Sequence, residues 1–143
     1  MEIVESSSAD LVHYVRFQSM HRNQRGYFIE VFGLINTLAK QGKLTDEQES
    51  FRRSSNSWYN AAYRDPSTVG PSVYDHDVNA GAAAWFKSLA THLIERVSGY
   101  LEILAHGVEC EAVRSADPGR VICEDEVQVV VVPHSESAIA TAH

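Results

Sequence analysis

The stretch SADPGRVICEDEVQVVVVP, residues 115–133, decides the fold class, because it predicts β structure in a chain whose middle is patterned for helices. Asp117–Arg120 has proline at the second and glycine at the third position, as in a type II turn. Val121–Glu124 and Val127–Val132 are rich in β-branched residues, which favour strands. These two runs form either one long strand or two strands joined by a turn at Asp125-Glu126, and we favour the turn.

Further strands and helices are predicted on the N-terminal side of that stretch. β-Branched and aromatic residues predict a strand over 11–18, and 109–114 is read as a short strand. Apolar residues three and four apart predict a first helix that begins near Tyr27. A capping box, in which Thr45 is the N-cap residue and Gln48 is the third helical residue, begins a second helix.

A third and longer helix is predicted over 82–104, after a connector at 65–79, because its apolar residues keep the helical spacing. The order of elements is therefore strand, two helices, loop, helix and three strands. We predict an α+β fold in which the N-terminal strand and a C-terminal three-stranded meander form a small antiparallel sheet, covered by about three helices. Residues 1–133 are predicted to form a single domain and 134–143 a flexible C-terminal tail.

The composition indicates a cytoplasmic globular protein without a membrane partner. The apolar fraction is 44% and the charged fraction is 22%, which is ordinary for such proteins. The longest aliphatic run, Val129–Val132, is far too short to span a membrane, and MEIVESSSAD lacks the features of a secretory signal. Two cysteines, Cys110 and Cys123, do not make a disulfide framework, so we expect a reducing compartment.

The formal net charge of −7 is unevenly distributed along the chain. Residues 1–65 carry eight basic and eight acidic side chains, whereas residues 66–143 carry four basic and eleven acidic ones. An acidic half repels phosphate backbones, so we expect no nucleic-acid partner.

The connector before the third helix holds the densest group of polar side chains. His76 lies between Asp75 and Asp77, and His92 follows on the predicted helix. A histidine oriented by a carboxylate can act as a general base, so these four residues are candidate catalytic residues. The same residue types bind metals, but their spacing matches no metalloenzyme signature, and we predict no metal site. The structural alternative is that Asp77 or Asn79 caps the helix and that His76 is solvated.

Two further groups are candidate ligand-binding residues. Arg22 and Arg25 lie in a polar loop, where a guanidinium group can hold a carboxylate or a phosphate, and the backbone at Asn79 offers a second anion site. Three tyrosines are predicted to line a pocket: Tyr59, Tyr63 and Tyr74. The alternatives are a solvated loop for the arginines and packing in the core or at its rim for the tyrosines.

The segment EDEV, residues 124–127, resembles the E-x-E motif of the mono-ADP-ribosyltransferases. The resemblance covers about ten residues. It implies that Glu126 is a catalytic glutamate that aligns the nicotinamide ribose of NAD, and that Arg16 matches the arginine of that family's first strand. The serine-containing middle strand of the family is missing, because Ser54–Ser57 lies on the predicted second helix.

Three stretches resemble small uncharacterised actinobacterial proteins: DPSTVGPSVYD, AAAWFKSLATHL and RSADPGRVICEDEVQVVVVP. Together they cover 43 of the 143 residues. The resemblance implies a bacterial source and brings no particular activity with it.

Two classes of function remain open on these patterns. The first is a small binding or accessory domain, which recognises a small polar ligand or a protein partner where the 65–80 loop meets the loop Arg22–Arg25. The second is a small enzyme, either a hydrolase or metal-assisted enzyme with an Asp/His site or an ADP-ribosyltransferase that uses Glu126. An outer strand with unpaired backbone groups also permits a homodimer. The patterns specify neither a cofactor nor a reaction.

Overall fold

A computed structural model shows a mixed α+β fold, which confirms the predicted class. It describes residues 13–105 and 107–134. Within them the strands are β1 Tyr14–Ser19, β2 Ala83–Lys87, β3 Cys110–Ser115, β4 Arg120–Glu124 and β5 Gln128–Val132. The helical segments are α1 Val31–Lys40, α2 Asp46–Ala62, α3 Pro66–Val69, α4 Thr91–Glu95 and α5 Ser98–Leu104.

The sheet is antiparallel and has five strands in the order β3-β1-β2-β5-β4, one more than the four predicted. The additional strand is β2, so the prediction of one helix over 82–104 is wrong for 83–87. Trp85 pairs with Val129 across the sheet. The alanines before Trp85 favour a helix locally, but β1 and β5 supply hydrogen-bond partners that exist only in the folded sheet. Gly81 also has a left-handed φ of +75°, which interrupts a right-handed helix.

The predicted C-terminal meander is wrong at its first connection. β3 lies at one edge of the sheet beside β1, whereas β4 lies at the other edge beside β5. Because direction alternates across an antiparallel sheet, β3 and β4 run the same way, so the turn at Asp117–Arg120 does not form a hairpin between them. Gly119 has a φ of +157°, which differs from the roughly +80° of a type II turn. A turn signature is local, and it does not specify which strand becomes a neighbour.

The chain divides into two compact units, which we describe separately. Unit one consists of the described residues 13–16, 65–91 and 114–134, and unit two consists of 17–64, 92–105 and 107–113. The core of unit one is built on the sheet, where Val15, Val129, Val130 and Val131 are fully buried. Close packing at its rim requires a glycine, because a Cβ atom at Gly119 would lie 2.3 Å from the carbonyl oxygen of Val132.

The core of unit two is an aromatic cluster between helices. Tyr100 on α5 is fully buried, and its ring meets the rings of Phe32 and Phe51 edge-on at 5.3 Å between centroids. Tyr59 on α2 donates a hydrogen bond of 2.7 Å from its hydroxyl to the carbonyl oxygen of Leu93. Burial raises the pKa of both tyrosines, so their hydroxyl groups stay protonated and able to donate.

The predicted capping box begins α2. The Gln48 amide donates to the Thr45 hydroxyl at 3.1 Å, and the Thr45 amide donates to the Gln48 side chain at 2.9 Å. One turn further on, the Glu49 carboxylate accepts hydrogen bonds of 2.8 Å from Arg52 and Arg53. These bonds lower the pKa of Glu49 to about 2.

Most of the predicted flexible tail, 134–143, lies outside the described residues. Its first residue, His134, places Nε2 2.9 Å from a carboxylate oxygen of Asp117. No helix in the part of the chain that the structure describes is long and apolar enough to cross a membrane. The single domain over 1–133 stays a prediction.

Candidate functional site

The segment 65–80 in unit one, which we call the recognition segment, begins with a closely hydrogen-bonded turn. Asp65 is the N-cap residue of α3, and its Oδ1 accepts hydrogen bonds of 2.9 Å from both the amide and the hydroxyl of Ser67. Pro66 occupies the first helical position, where no amide donor is needed. The amide of Gly70 then closes the turn on the Pro66 carbonyl at 3.0 Å.

The second half of the recognition segment is organised by Asp75 and Asn79. The Asp75 Oδ1 atom accepts a hydrogen bond of 2.8 Å from the amide of Asp77, which is an Asx turn. The Asp75 carbonyl accepts from the amide of Asn79 at 2.7 Å, and the Asn79 side chain donates to the Ser72 carbonyl at 3.0 Å. Asn79 therefore closes this loop, and no helix follows it for either Asn79 or Asp77 to cap.

The recognition segment is anchored by few residues and exposes several apolar ones. Pro66 and Val73 are buried, and they hold the segment to unit one. Val69 is 60% exposed, Val78 is 62% exposed and Tyr74 is 37% exposed. Three of the large apolar side chains that the structure leaves exposed thus lie within this one short segment.

The candidate catalytic residues of this segment face solvent. Asp75, His76 and Asp77 are all exposed. One oxygen of Asp75 is already an acceptor within the Asx turn. A catalytic acid or base is usually tuned by burial and by fixed neighbouring groups. Because these three side chains are exposed, burial contributes little to such tuning here.

The two residues assigned by resemblance to the ADP-ribosyltransferases lie in different surroundings within unit one. Arg16 is 7% exposed on β1, and its Nη1 donates to the carbonyl oxygen of Ala84 at 2.8 Å. Glu126 is exposed in the turn between β4 and β5. That turn is closed by Asp125, whose Oδ1 accepts from the amide of Val127 at 2.9 Å. Transferase chemistry at Glu126 stays a prediction.

His92, the fourth candidate catalytic residue, belongs to unit two, so no single compact unit holds the whole predicted Asp/His site. His92 is exposed on α4, and its ring meets that of Trp58 edge-on at 6.5 Å between centroids. The Arg96 guanidinium lies over the same indole ring at 4.2 Å. This cation–π contact stabilises the position of Trp58 at the surface of α2.

The predicted anion-binding loop of unit two uses its first arginine internally. Arg22 donates from Nη1 to the carbonyl oxygen of Gly26 at 2.7 Å and lies 5.0 Å over the ring of Phe28. The Asn23 side chain closes the loop by accepting a hydrogen bond of 2.9 Å from the amide of Arg25. Arg22 therefore supports the loop, while Arg25 is exposed.

The three candidate pocket tyrosines have three different environments. Tyr59 is 3% exposed and hydrogen-bonded, so it packs in the core instead of lining a pocket. Tyr63 is half-buried against it, with 6.3 Å between the ring centroids. Tyr74 belongs to unit one and is exposed on the recognition segment.

A shallow depression of about 530 Å³ lies along the outer face of α2 in unit two. Its lining residues are Asp46, Glu49, Ser50, Arg53, Ser54 and Ser57. The Glu49 carboxylate is held by two arginines, and neither an imidazole nor a thiol lines the depression. The serine hydroxyls there lack the histidine that usually activates a nucleophile.

Neither the geometry of possible metal ligands nor the comparison with known proteins identifies a functional site. Among residues 13–105 and 107–134, no group of three or more His, Cys, Asp and Glu side chains is placed to hold a metal ion. No family model, no curated protein and no solved structure matches this chain.

Sequence reasoning found the recognition segment but missed the residues that distinguish it. Val69 and Val78 stand in no helical or strand pattern, so periodicity gave no reason to notice them. Their position among prolines, glycines and aspartates could have indicated them, because a valine in such a turn-rich segment does not belong to a strand. Leu89 lies inside the span 82–104 that was predicted as one helix, but it is 90% exposed because the chain turns there after β2.

Proposed function

We propose that this chain is a polypeptide-recognition domain and that the recognition segment is its binding surface. The observation that carries the proposal is the exposure of Val69, Tyr74 and Val78 on a segment that is otherwise fixed by its own hydrogen bonds. Exposed apolar side chains cost free energy in water, and a partner that covers them recovers it.

The hydrogen bonds of the recognition segment support binding by pre-organisation. Each ordered residue costs conformational entropy, and a loop that is already ordered does not incur this cost again when a partner binds. The turns at Asp65 and Asp75 hold the segment in one conformation, and Val73 fixes it to the core. Such an arrangement is expected of a surface that binds with little rearrangement.

A polypeptide suits this surface better than a small molecule. Small-molecule sites are usually concave and bury most of their ligand. Val69, Tyr74 and Val78 are instead exposed on a run of consecutive turns. The free thiols of Cys110 and Cys123 suit a domain that acts in the cytoplasm, as the composition predicts.

The proposal is tested with a displayed library of random peptides selected on the immobilised full chain. Affinities of the selected peptides are then measured by fluorescence anisotropy for the wild type and for a Val69→Ser/Val78→Ser double variant. We expect the double variant to bind about tenfold more weakly or worse, because the loss of two apolar contacts removes buried area from the interface.

Leu89→Ser is the matched control, because among the described residues outside the recognition segment Leu89 is the most exposed large apolar one. It should leave the affinities unchanged. If Leu89→Ser weakens the selected peptides and the double variant does not, binding occurs elsewhere and the assignment of the surface is wrong.

A further inference from the structure

The charges of the recognition segment have a single sign. Residues 65–86 contain three aspartates and no lysine, arginine or glutamate. The next cation along the chain, Lys87, is engaged at 2.6 Å by a carboxylate oxygen of Glu124. The described part of unit one as a whole carries seven Asp and Glu side chains against four Lys and Arg.

The aspartates keep acceptor capacity beyond the bonds that build the turns. Asp65 and Asp75 each use Oδ1 to close a turn, which leaves Oδ2 of each without a hydrogen bond among the described residues. Asp77 is exposed, and its carboxylate closes no turn within that same part of the chain. Carboxylate oxygens form their strongest hydrogen bonds with guanidinium and ammonium groups.

We propose that the partner of the recognition segment is a basic polypeptide, in which apolar residues are flanked by lysine or arginine. This inference rests on the proposed function. The apolar side chains of the partner cover Val69, Tyr74 and Val78, and its cations meet Asp75 and Asp77. Complementary charge determines which partners bind and how quickly, while apolar contact supplies most of the affinity.

A second copy of the chain is the less suitable occupant of this surface. Each copy carries a formal net charge of −7, so two copies repel each other before contact. A nucleic acid is disfavoured for the same reason, because its phosphates and the aspartates share one sign. A cationic polypeptide is attracted by both the segment and the chain as a whole.

The test uses three synthetic peptides that share one apolar core of valine, leucine and tryptophan. In the first the core is flanked by lysines, in the second by serines and in the third by glutamates. Binding to the full chain is measured by fluorescence anisotropy at about 0.02 M and about 0.2 M salt. We expect the lysine peptide to bind at least about tenfold more tightly than the serine peptide, with a difference that shrinks as salt screens the charges.

A charge variant locates the effect on the recognition segment. The double variant Asp75→Asn/Asp77→Asn keeps the acceptor of the Asx turn, because asparagine retains Oδ1, while removing two charges. It should reduce the affinity of the lysine peptide by roughly fivefold to tenfold and leave that of the serine peptide unchanged. Glu126→Gln, which removes an exposed charge outside the segment, is the matched control and should have little effect.

The outcomes separate this inference from the proposed function. If the three peptides bind equally and Val69→Ser/Val78→Ser weakens all of them, the segment recognises polypeptides and the basic partner is wrong. If the lysine peptide binds but is unaffected by either double variant, both the surface and the inference are wrong. Concentration-dependent self-association in sedimentation velocity, abolished by Val69→Ser/Val78→Ser, would instead identify a second copy as the occupant.

Discussion

Tyr59 connects α2 to α4 through one buried hydrogen bond, from its hydroxyl to the carbonyl oxygen of Leu93. Because Tyr59 lies four residues before Tyr63, the sequence suggested that both tyrosines line one pocket. In the structure the ring of Tyr59 packs among aromatic neighbours in the core. Two tyrosines on one flank of a helix present the same pattern whether a ligand or another helix covers them. Only the packing of unit two distinguishes these cases.

We expect Tyr59→Phe to destabilise the fold by about 1–2 kcal/mol, because it removes the donor and leaves the buried Leu93 carbonyl without its partner. Urea unfolding followed by circular dichroism measures this change. Tyr14→Phe is the control: the Tyr14 hydroxyl makes no hydrogen bond among the described residues, so its removal should change the free energy of unfolding by less than about 0.5 kcal/mol. Equal effects of the two variants would refute a specific role for the Tyr59 hydroxyl.

Gly119 is required by geometry as well as by backbone conformation. Its φ is +157°, and a Cβ atom there would lie 2.3 Å from the Val132 carbonyl oxygen. We expect Gly119→Ala to cost about 1–3 kcal/mol of stability, because the backbone of β5 must move to admit the methyl group. Gly70→Ala provides the contrast, since Gly70 has a φ of −129° and open space at its Cβ position. A thermal melt in which both variants match the wild type would contradict this view of the turn.

At the scale of elements, the accuracy of sequence reasoning depended on how local the deciding interaction is. The capping box at Thr45 involves residues three apart, and α2 begins where the pattern predicts. The strand β2 depends on β1 and β5, which are distant in sequence, and its alanines favoured a helix. The edge position of β3 depends likewise on β1, so a turn signature at Asp117–Arg120 was not enough to place it.

The arginine pair on α2 makes the stability of this helix depend on pH. Arg52 and Arg53 lower the pKa of Glu49 from its ordinary value of 4.5 to about 2 in the folded chain. The unfolded chain therefore binds the proton more readily, so the contribution of Glu49 to stability is fully present above pH 4.5 and is lost as the pH falls toward about 2.

We accordingly expect Glu49→Gln to lower the melting temperature at neutral pH and to have a progressively smaller effect as the pH falls from 4.5 to about 2. Thermal unfolding over this range, measured beside the wild type, gives the comparison. Glu47→Gln is the matched control, because Glu47 shares the first turn of α2 but forms no ion pair in the described part of the chain. A Glu49→Gln effect that is independent of pH would show that the ion pairs do not account for it.

At the scale of the whole molecule, composition pointed to the segment that holds the candidate site, but it did not predict which side chains of that segment are exposed. Prolines, glycines and aspartates between 65 and 80 predict a polar connector, and the structure has a run of hydrogen-bonded turns there. The predicted meeting of this loop with Arg22–Arg25 stays a prediction. Whether His76 faces solvent or a recess depends on burial by distant parts of the chain, and a single sequence carries no direct signal of it. The exposure of Val69 and Val78 likewise follows from the folded structure and not from the sequence pattern.

The proposed function requires that Val69 and Val78 serve binding rather than folding, and this separation can be measured on the unliganded chain. Their side chains are already 60% and 62% exposed, so Val69→Ser/Val78→Ser should change the free energy of unfolding by less than about 1 kcal/mol. Val73→Ser, in the same segment but only 6% exposed, should cost about 2–4 kcal/mol, because it places an unpaired hydroxyl in the core and removes apolar contact. Urea unfolding of the three proteins decides the matter. If the double variant proved as unstable as Val73→Ser, the exposed valines would be part of the fold, and their loss could not be used to locate a binding surface.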